Sequence, residues 1–237
     1  MKNQYTSDIN DYITYGLLRA LVPPSFKLGV FWMLTPDDGR NDGQKLGYLS
    51  QPEKWQGYDP ELFNLLKSSV ESGRRDIAWV ESSSILPEAS YFSESIPDGK
   101  TARDKVMEQG LASLSACDLL FYDQDNGLEI PSIPKGRRNS NKYLYLDEVS
   151  QAWDKGHSLL IYQHFPRIER SPYLAMRGDQ LRRATGAISI QAITTGHNCF
   201  FLVLREVHAP SFTLPLHTLM KRWATVFTQH TLFPVSI

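Results

Sequence analysis

The stretch AISIQAITTGHNCFFLVLRE, residues 187–206, decides the reading of the fold. It contains two apolar runs rich in β-branched and aromatic residues, separated by Thr195-Gly196-His197-Asn198. Two such runs across a short polar turn form an antiparallel pair of strands. Upstream the pattern changes. KLGVFWML (27–34), DIAWV (76–80), CDLLFY (117–122) and HSLLIY (157–162) are short continuous apolar runs, the signature of strands buried on both faces. Helical patterns lie around and between them: DINDYITYGLLRAL (8–21), PELFNLLKSSVESG (60–73), TARDKVMEQGLASLSA (101–116), KYLYLDEVSQAWDKG (142–156) and SPYLAMRGDQLRRATG (171–186). Asp8 or Asn10 is positioned to cap the first, and Pro60 and Gly73 bracket the second.

Strands alternating with helices imply a parallel sheet. The expected fold is therefore α/β: one Rossmann-like domain over residues 1–237, with a mostly parallel sheet, helices on both faces and an antiparallel C-terminal hairpin edge. Residues 206–237 read as a C-terminal extension carrying an amphipathic segment, LHTLMKRWATVFTQH (216–230). ESSSILPEASYFSESIPDGK (81–100) reads as irregular.

Composition narrows the function classes. Hydrophobic residues make up 41% and charged residues 22% of 237, ordinary for a globular chain. No apolar run approaches the roughly 18 residues that span a bilayer, and MKNQYTSDIN lacks the apolar core of a secretory signal. The expectation is a soluble cytoplasmic protein that is not a membrane protein. Two cysteines, Cys117 and Cys199, are too few for a zinc site built from thiolates, and both sit in apolar runs as buried thiols do. The net charge of −1 hides a partition. Residues 1–134 carry 12 Lys/Arg against 20 Asp/Glu, whereas residues 135–183 carry 10 against 5. Such a partition points to a local anion-binding face.

Each parallel-type run stops at polar residues. FWML is followed by Thr35-Pro36-Asp37-Asp38, IAWV by Glu81-Ser82, LLFY by Asp123-Gln124-Asp125-Asn126 and LLIY by Gln163-His164-Phe165-Pro166-Arg167. In open α/β sheets the ligand crevice lies at that edge, so Asp37, Glu81, Asp123 and His164 are expected to converge. Asp123, Asp125, Asn126 and Glu129 fall within seven residues, and carboxylates held so close are usually kept together by a cation or a substrate. Strands also end in such residues for turn closure alone. KGRRNSNK (135–142) is the most basic cluster.

A parallel sheet ending in a hairpin is similar to class I S-adenosylmethionine-dependent methyltransferases. SDINDYITYGLLRAL resembles the start of the bacterial ribosomal RNA adenine methyltransferases of the large subunit, where an Asp and a Lys-His pair precede the first strand. Asp11 and Tyr15 stand in comparable places, and Thr14 replaces the lysine. The family's fourth strand ends in an acidic or amide residue, two prolines and an aromatic. Asp123 matches the first; Gln124-Asp125-Asn126 replace the others. The family's cofactor loop is glycine-rich, whereas TPDDGRNDG (35–43) has its glycines, Gly39 and Gly43, late.

The resemblance implies S-adenosylmethionine near Thr35, Asp37, Asp38, Gly39 and Glu81. Asp123 or Asn126 would then accept the N–H of a target amine, with Asp125 and His164 beside them, and Arg137, Arg138, Lys142, Arg167 and Arg170 would hold nucleic-acid phosphates. Two other readings stand beside it. Asp123, Asp125 and Glu129, with Asp37 or Asp38 and His164 nearby, suit a Mg²⁺ or Mn²⁺ site that activates water in a nuclease or phosphodiesterase. The missing glycine-rich loop suits a non-catalytic module binding a nucleotide or a protein.

Overall fold

The computed structural model describes residues 1–37, 39 and 43–233. Its strands are β1 (Leu28–Phe31), β2 (Ser90–Phe92), β3 (Leu119–Tyr122), β4 (Gly127–Leu128), β5 (Tyr143–Leu144), β6 (Ser158–His164), β7 (Ser189–Thr194), β8 (Asn198–Leu204) and β9 (Thr228–Phe233). The helices are α1 (Ile9–Leu21), α2 (Pro52–Trp55), α3 (Pro60–Glu71), α4 (Ile77–Ser82), α5 (Lys100–Ser113), α6 (Leu146–Asp154), α7 (Arg170–Thr185) and α8 (Ala209–Arg222).

Seven strands form one sheet in the order β2-β1-β3-β6-β8-β7-β9, and β4 pairs with β5 separately. β2, β1, β3 and β6 run parallel. β8 is antiparallel to both β6 and β7, and β9 is antiparallel to β7. The expected α/β architecture with an antiparallel C-terminal edge is thus present, with β8 reversed between two strands that share the parallel direction.

Period-two alternation splits adjacent aromatics between the sheet faces. Trp32, Phe121 and Phe200 face a cluster with Tyr12 and Leu17 of α1, Phe63 of α3 and Phe212 of α8. Phe31, Tyr122 and Phe201 face the opposite cluster, with Met107 and Leu111 of α5, Val149 of α6 and Leu174 of α7. No helix among the described residues is long and apolar enough to cross a membrane.

Four expectations change. DIAWV is not a strand: Asp76 caps a helix, its Oδ1 accepting Trp79 N–H at 2.8 Å, and α4 covers 77–82. A five-residue apolar run lacks the length to separate the two periodicities. The second strand is instead Ser90–Phe92, inside the stretch read as irregular, and is too short to carry a pattern. The helix expected from 142 begins at Leu146, because Tyr143 and Leu144 pair with Gly127 and Leu128. The C-terminal segment is built into the layers: α8 packs on the α1 face of the sheet, and β9 lengthens its edge.

Candidate functional site

Asp123 follows β3 directly, and its N–H extends the ladder to Phe31 O at 3.0 Å. The carboxyl is thereby carried to the mouth of the sheet, and it is only partly exposed. Among the described residues no donor is hydrogen-bonded to it, in contrast to its neighbours. Burial pushes its pKa up from 3.8 to about 6; the Met1 amino group opposes that rise, and the charges of Asp125 and Asp8 reinforce it.

Gln124 is fully buried. Its Nε2 donates to Tyr162 O, and its Oε1 has no hydrogen-bond partner. Asp125 bridges two segments: Oδ1 lies 2.9 Å from the Met1 amino nitrogen, and Oδ2 accepts Thr35 Oγ1–H at 2.9 Å. Asn126 N–H donates to Lys142 O at 3.0 Å, and Asn126 O accepts Gln163 Nε2–H at 3.0 Å. Gly127, at φ +117°, lets the chain turn here; a Cβ would sit 2.2 Å from Gln163 Nε2.

The start of α1 faces this edge. Asp8 caps the helix, its Oδ1 accepting Asn10 N–H at 2.7 Å and Asp11 N–H at 3.2 Å. Asp11 accepts Ser7 N–H at 2.9 Å and Tyr15 Oη–H at 3.1 Å through Oδ2. Burial raises both carboxyls above their usual range, Asp11 strongly, with the charges of Asp8 and Asp123 adding to its rise.

Together these groups enclose a cavity of about 570 Å³, within the range of small-molecule sites. One wall is Asp8, Asn10, Asp11 and Thr14; another is Asp123, Gln124, Asp125 and Asn126; Tyr162 and His164 close a third. Met1, Tyr5, Gly43, Gln44 and Lys45 complete it. Acceptors outnumber cations, which favours an occupant that is cationic or rich in N–H donors.

Of the sequence-derived candidates, Asp123, Asp125, Asn126 and His164 meet at this cavity, and Thr35 supports it through Asp125. The others do not line it. Asp37 Oδ1 accepts Gln4 N–H at 3.3 Å on the outside. Gly39 is exposed at φ +68°, and Asp38 lies outside the described residues. Glu81 belongs to α4, not to a strand end, and accepts Trp32 Nε1–H at 3.0 Å. Glu129 turns away: its Oε2 accepts Leu146 N–H at 2.9 Å at the start of α6. The carboxylate trio Asp123, Asp125 and Glu129 is therefore not assembled. Among the described residues no cluster of three or more His, Cys, Asp or Glu is placed to hold a metal ion.

The basic candidates are divided. Arg137 and Arg138 are exposed in the turn before Asn139, whose N–H is held by Asp98 Oδ2 at 3.1 Å. Lys142 adjoins Asn126 by its backbone. Arg167 and Arg170 follow His164; both are exposed, and Arg170 lies 4.9 Å from the centre of the Phe165 ring.

Sequence reasoning gave no role to Gln124, Lys45, Tyr162 and Asn198, and treated Asp8 and Asn10 only as caps. Asp11 and Thr14 carried a signal, since both fall in the stretch that resembles the methyltransferase N-terminus. Compared with known protein families and with characterised proteins, the chain matches none.

Proposed function

We propose that the protein transfers a methyl group from S-adenosylmethionine to an amino group of a nucleic-acid base. The observation that carries this reading is the unpartnered carboxyl of Asp123 at the carboxyl edge of β3, in a cavity rich in acceptors. The strand order supports it as well: a reversed β8 inserted between β6 and β7 matches the hairpin edge on which the resemblance rests.

The chemistry of the donor set fits the cofactor. The acidic side chains of Asp8 and Asp123 and the unpartnered Oε1 of Gln124 favour a molecule bearing a sulfonium and an ammonium group. Residues beyond β1, with Thr35 and the Gly43–Lys45 wall, would hold it. When bound, it supplies an electrophilic methyl group.

The protein's own residues do the positioning. Ionised Asp123 accepts an N–H of the target amine and turns the nitrogen lone pair away from the carboxylate. Asn126 lines the same cavity as a second polar residue, and the buried Gln124 ties the turn to Tyr162 O. Tyr162, which lines the cavity, would offer its ring to an extruded base. In this reading the exposed Arg137, Arg138, Arg167 and Arg170, with the half-buried Lys142, would meet phosphates.

The test is transfer of labelled methyl from S-adenosylmethionine to bulk RNA and DNA, with calorimetry of the cofactor alone. Asp123→Ala is expected to lose about 100-fold in rate, the scale of a lost positioning contact. Absence of cofactor binding by the wild-type protein ends this reading. Nuclease activity that needs Mn²⁺ and disappears in Asp123→Ala would replace it with the phosphodiesterase reading.

A further inference from the structure

β8 runs against β6 and begins where β6 ends, so its first residue, Asn198, is delivered to the carboxyl edge. Asn198 sits directly across the ladder from His164 and is 4% exposed. Its side chain belongs to a hydrogen-bonded chain whose polarity is set at its far end. Asp8 caps α1 with Oδ1, and its Oδ2 accepts Asn10 Nδ2–H at 3.2 Å. With its amide nitrogen so engaged, Asn10 turns Oδ1 outward, where it accepts Asn198 Nδ2–H at 3.3 Å. Asn198 must then present Oδ1 on its other side, where Tyr162 Oη lies at 3.0 Å and His164 Nδ1 at 3.2 Å. The opposite amide orientation would set Asn198 Oδ1 against Asn10 Oδ1, two acceptors with no proton between them.

A carbonyl oxygen only accepts, so the proton of the neutral imidazole lies on Nδ1. We propose that Asn198 is a positioning residue that holds His164 as the Nδ1–H tautomer, leaving Nε2 bare as a hydrogen-bond and proton acceptor for an N–H group bound in the cavity. The link between that acceptor and an amine substrate rests on the methyl-transfer reading; the tautomer itself does not. A neutral histidine free in water favours Nε2–H, so the protein holds this ring against its intrinsic preference.

Nitrogen-15 spectroscopy of the imidazoles, recorded without cofactor or substrate and with the His164 signal identified by its loss in His164→Gln, tests this. The wild-type ring, when neutral, is expected to show a protonated Nδ1 and an unprotonated Nε2. Asn198→Leu and, independently, Asn10→Ala are expected to shift it towards Nε2–H. Asn198→Asp should retain Nδ1–H, because a carboxylate oxygen in the same place also only accepts. Should Asn198→Leu fail to fold, Asn10→Ala and the wild-type spectrum still decide. An Nε2–H ring in the wild-type protein, or a tautomer unmoved by Asn10→Ala and Asn198→Leu, overturns the proposal. An Nε2–H ring in a protein that does transfer methyl groups removes the role of Asn198 alone; a bare Nε2 in a protein that transfers none counts against methyl transfer alone.

Discussion

At the scale of single residues, the cavity trades stability for an available carboxylate. Asp123 titrates near 6 in the folded chain against 3.8 for an ordinary Asp, chiefly because burial penalises its charge. Its contribution to stability is full below about pH 4 and is lost as pH rises through 6. At 1.36 kcal/mol per pKa unit the loss is at most about 3 kcal/mol, and partial exposure reduces it to roughly 1–2 kcal/mol. Asp123→Asn is therefore expected to be more stable than wild type at pH 8 by about 1–2 kcal/mol, with the gap closing near pH 4. Urea unfolding at the two pH values measures it. A variant less stable than wild type at pH 8 would mean the charge is compensated where it sits. If the proposed methyl transfer uses ionised Asp123, its rate is expected to rise with pH through about 6.

The same scale shows what the sequence reveals about a site and what it hides. Asp123, Asn126 and His164 were legible because a strand delivers to its carboxyl edge whatever follows it. Gln124 was not, since a buried amide oxygen without a partner is visible only once its surroundings are assembled. Glu129 misled: its spacing from Asp123 suits a ligand, but its backbone joins the β4–β5 ladder and its side chain caps α6.

At the scale of elements, helix caps and long periodic segments carried their own signals. Asp8, Asp59 and Asp76 each accept backbone N–H groups at a helix start. Gly110 lies inside α5, where glycine costs helix stability, and its reason is tertiary. A Cβ there would lie 2.3 Å from Phe31 Cε2 and 2.9 Å from Phe92 Cδ1. The missing side chain lets α5 lie close against β1 and β2. Gly110→Ala is expected to destabilise the protein by about 1–2 kcal/mol, because overpacking of about 1–3 kcal/mol exceeds the gain in helix propensity of up to about 1 kcal/mol. Thermal unfolding gives the answer: a Tm lowered by several degrees supports the close contact, and a raised Tm refutes it. A second tertiary device is the buried pair of Arg103 and Glu148, 2.6 Å apart, which ties α5 to α6.

At the scale of the molecule, acidic and basic regions meet at one edge. The carboxyls of Asp8, Asp11, Asp123 and Asp125 line the cavity, whereas exposed arginines follow both β6 and the β4 segment. That arrangement suits a base drawn inward while its backbone stays outside. Under the proposed nucleic-acid reading, Arg167→Glu combined with Arg170→Glu is expected to weaken binding to RNA and to reduce the slope of log affinity against log salt by about 1.5, two phosphate contacts' worth. Fluorescence anisotropy at several salt concentrations, with thermal melting as the control for folding, checks it. An unchanged slope would take these arginines out of the interface.

What the sequence by itself determined is local: the apolar runs of β1, β3, β6, β7 and β8, the capped helices, and the polar residues that must trail each strand. Those features follow from periodicity, which a chain carries without folding. Only the tertiary structure decided that IAWV coils while SYF pairs, that β8 inverts between β6 and β7, and that Asn10 and Asn198, 188 residues apart, share a hydrogen bond. Short elements obtain their conformation from their neighbours, and the direction of an amide or an imidazole is set by partners distant in sequence.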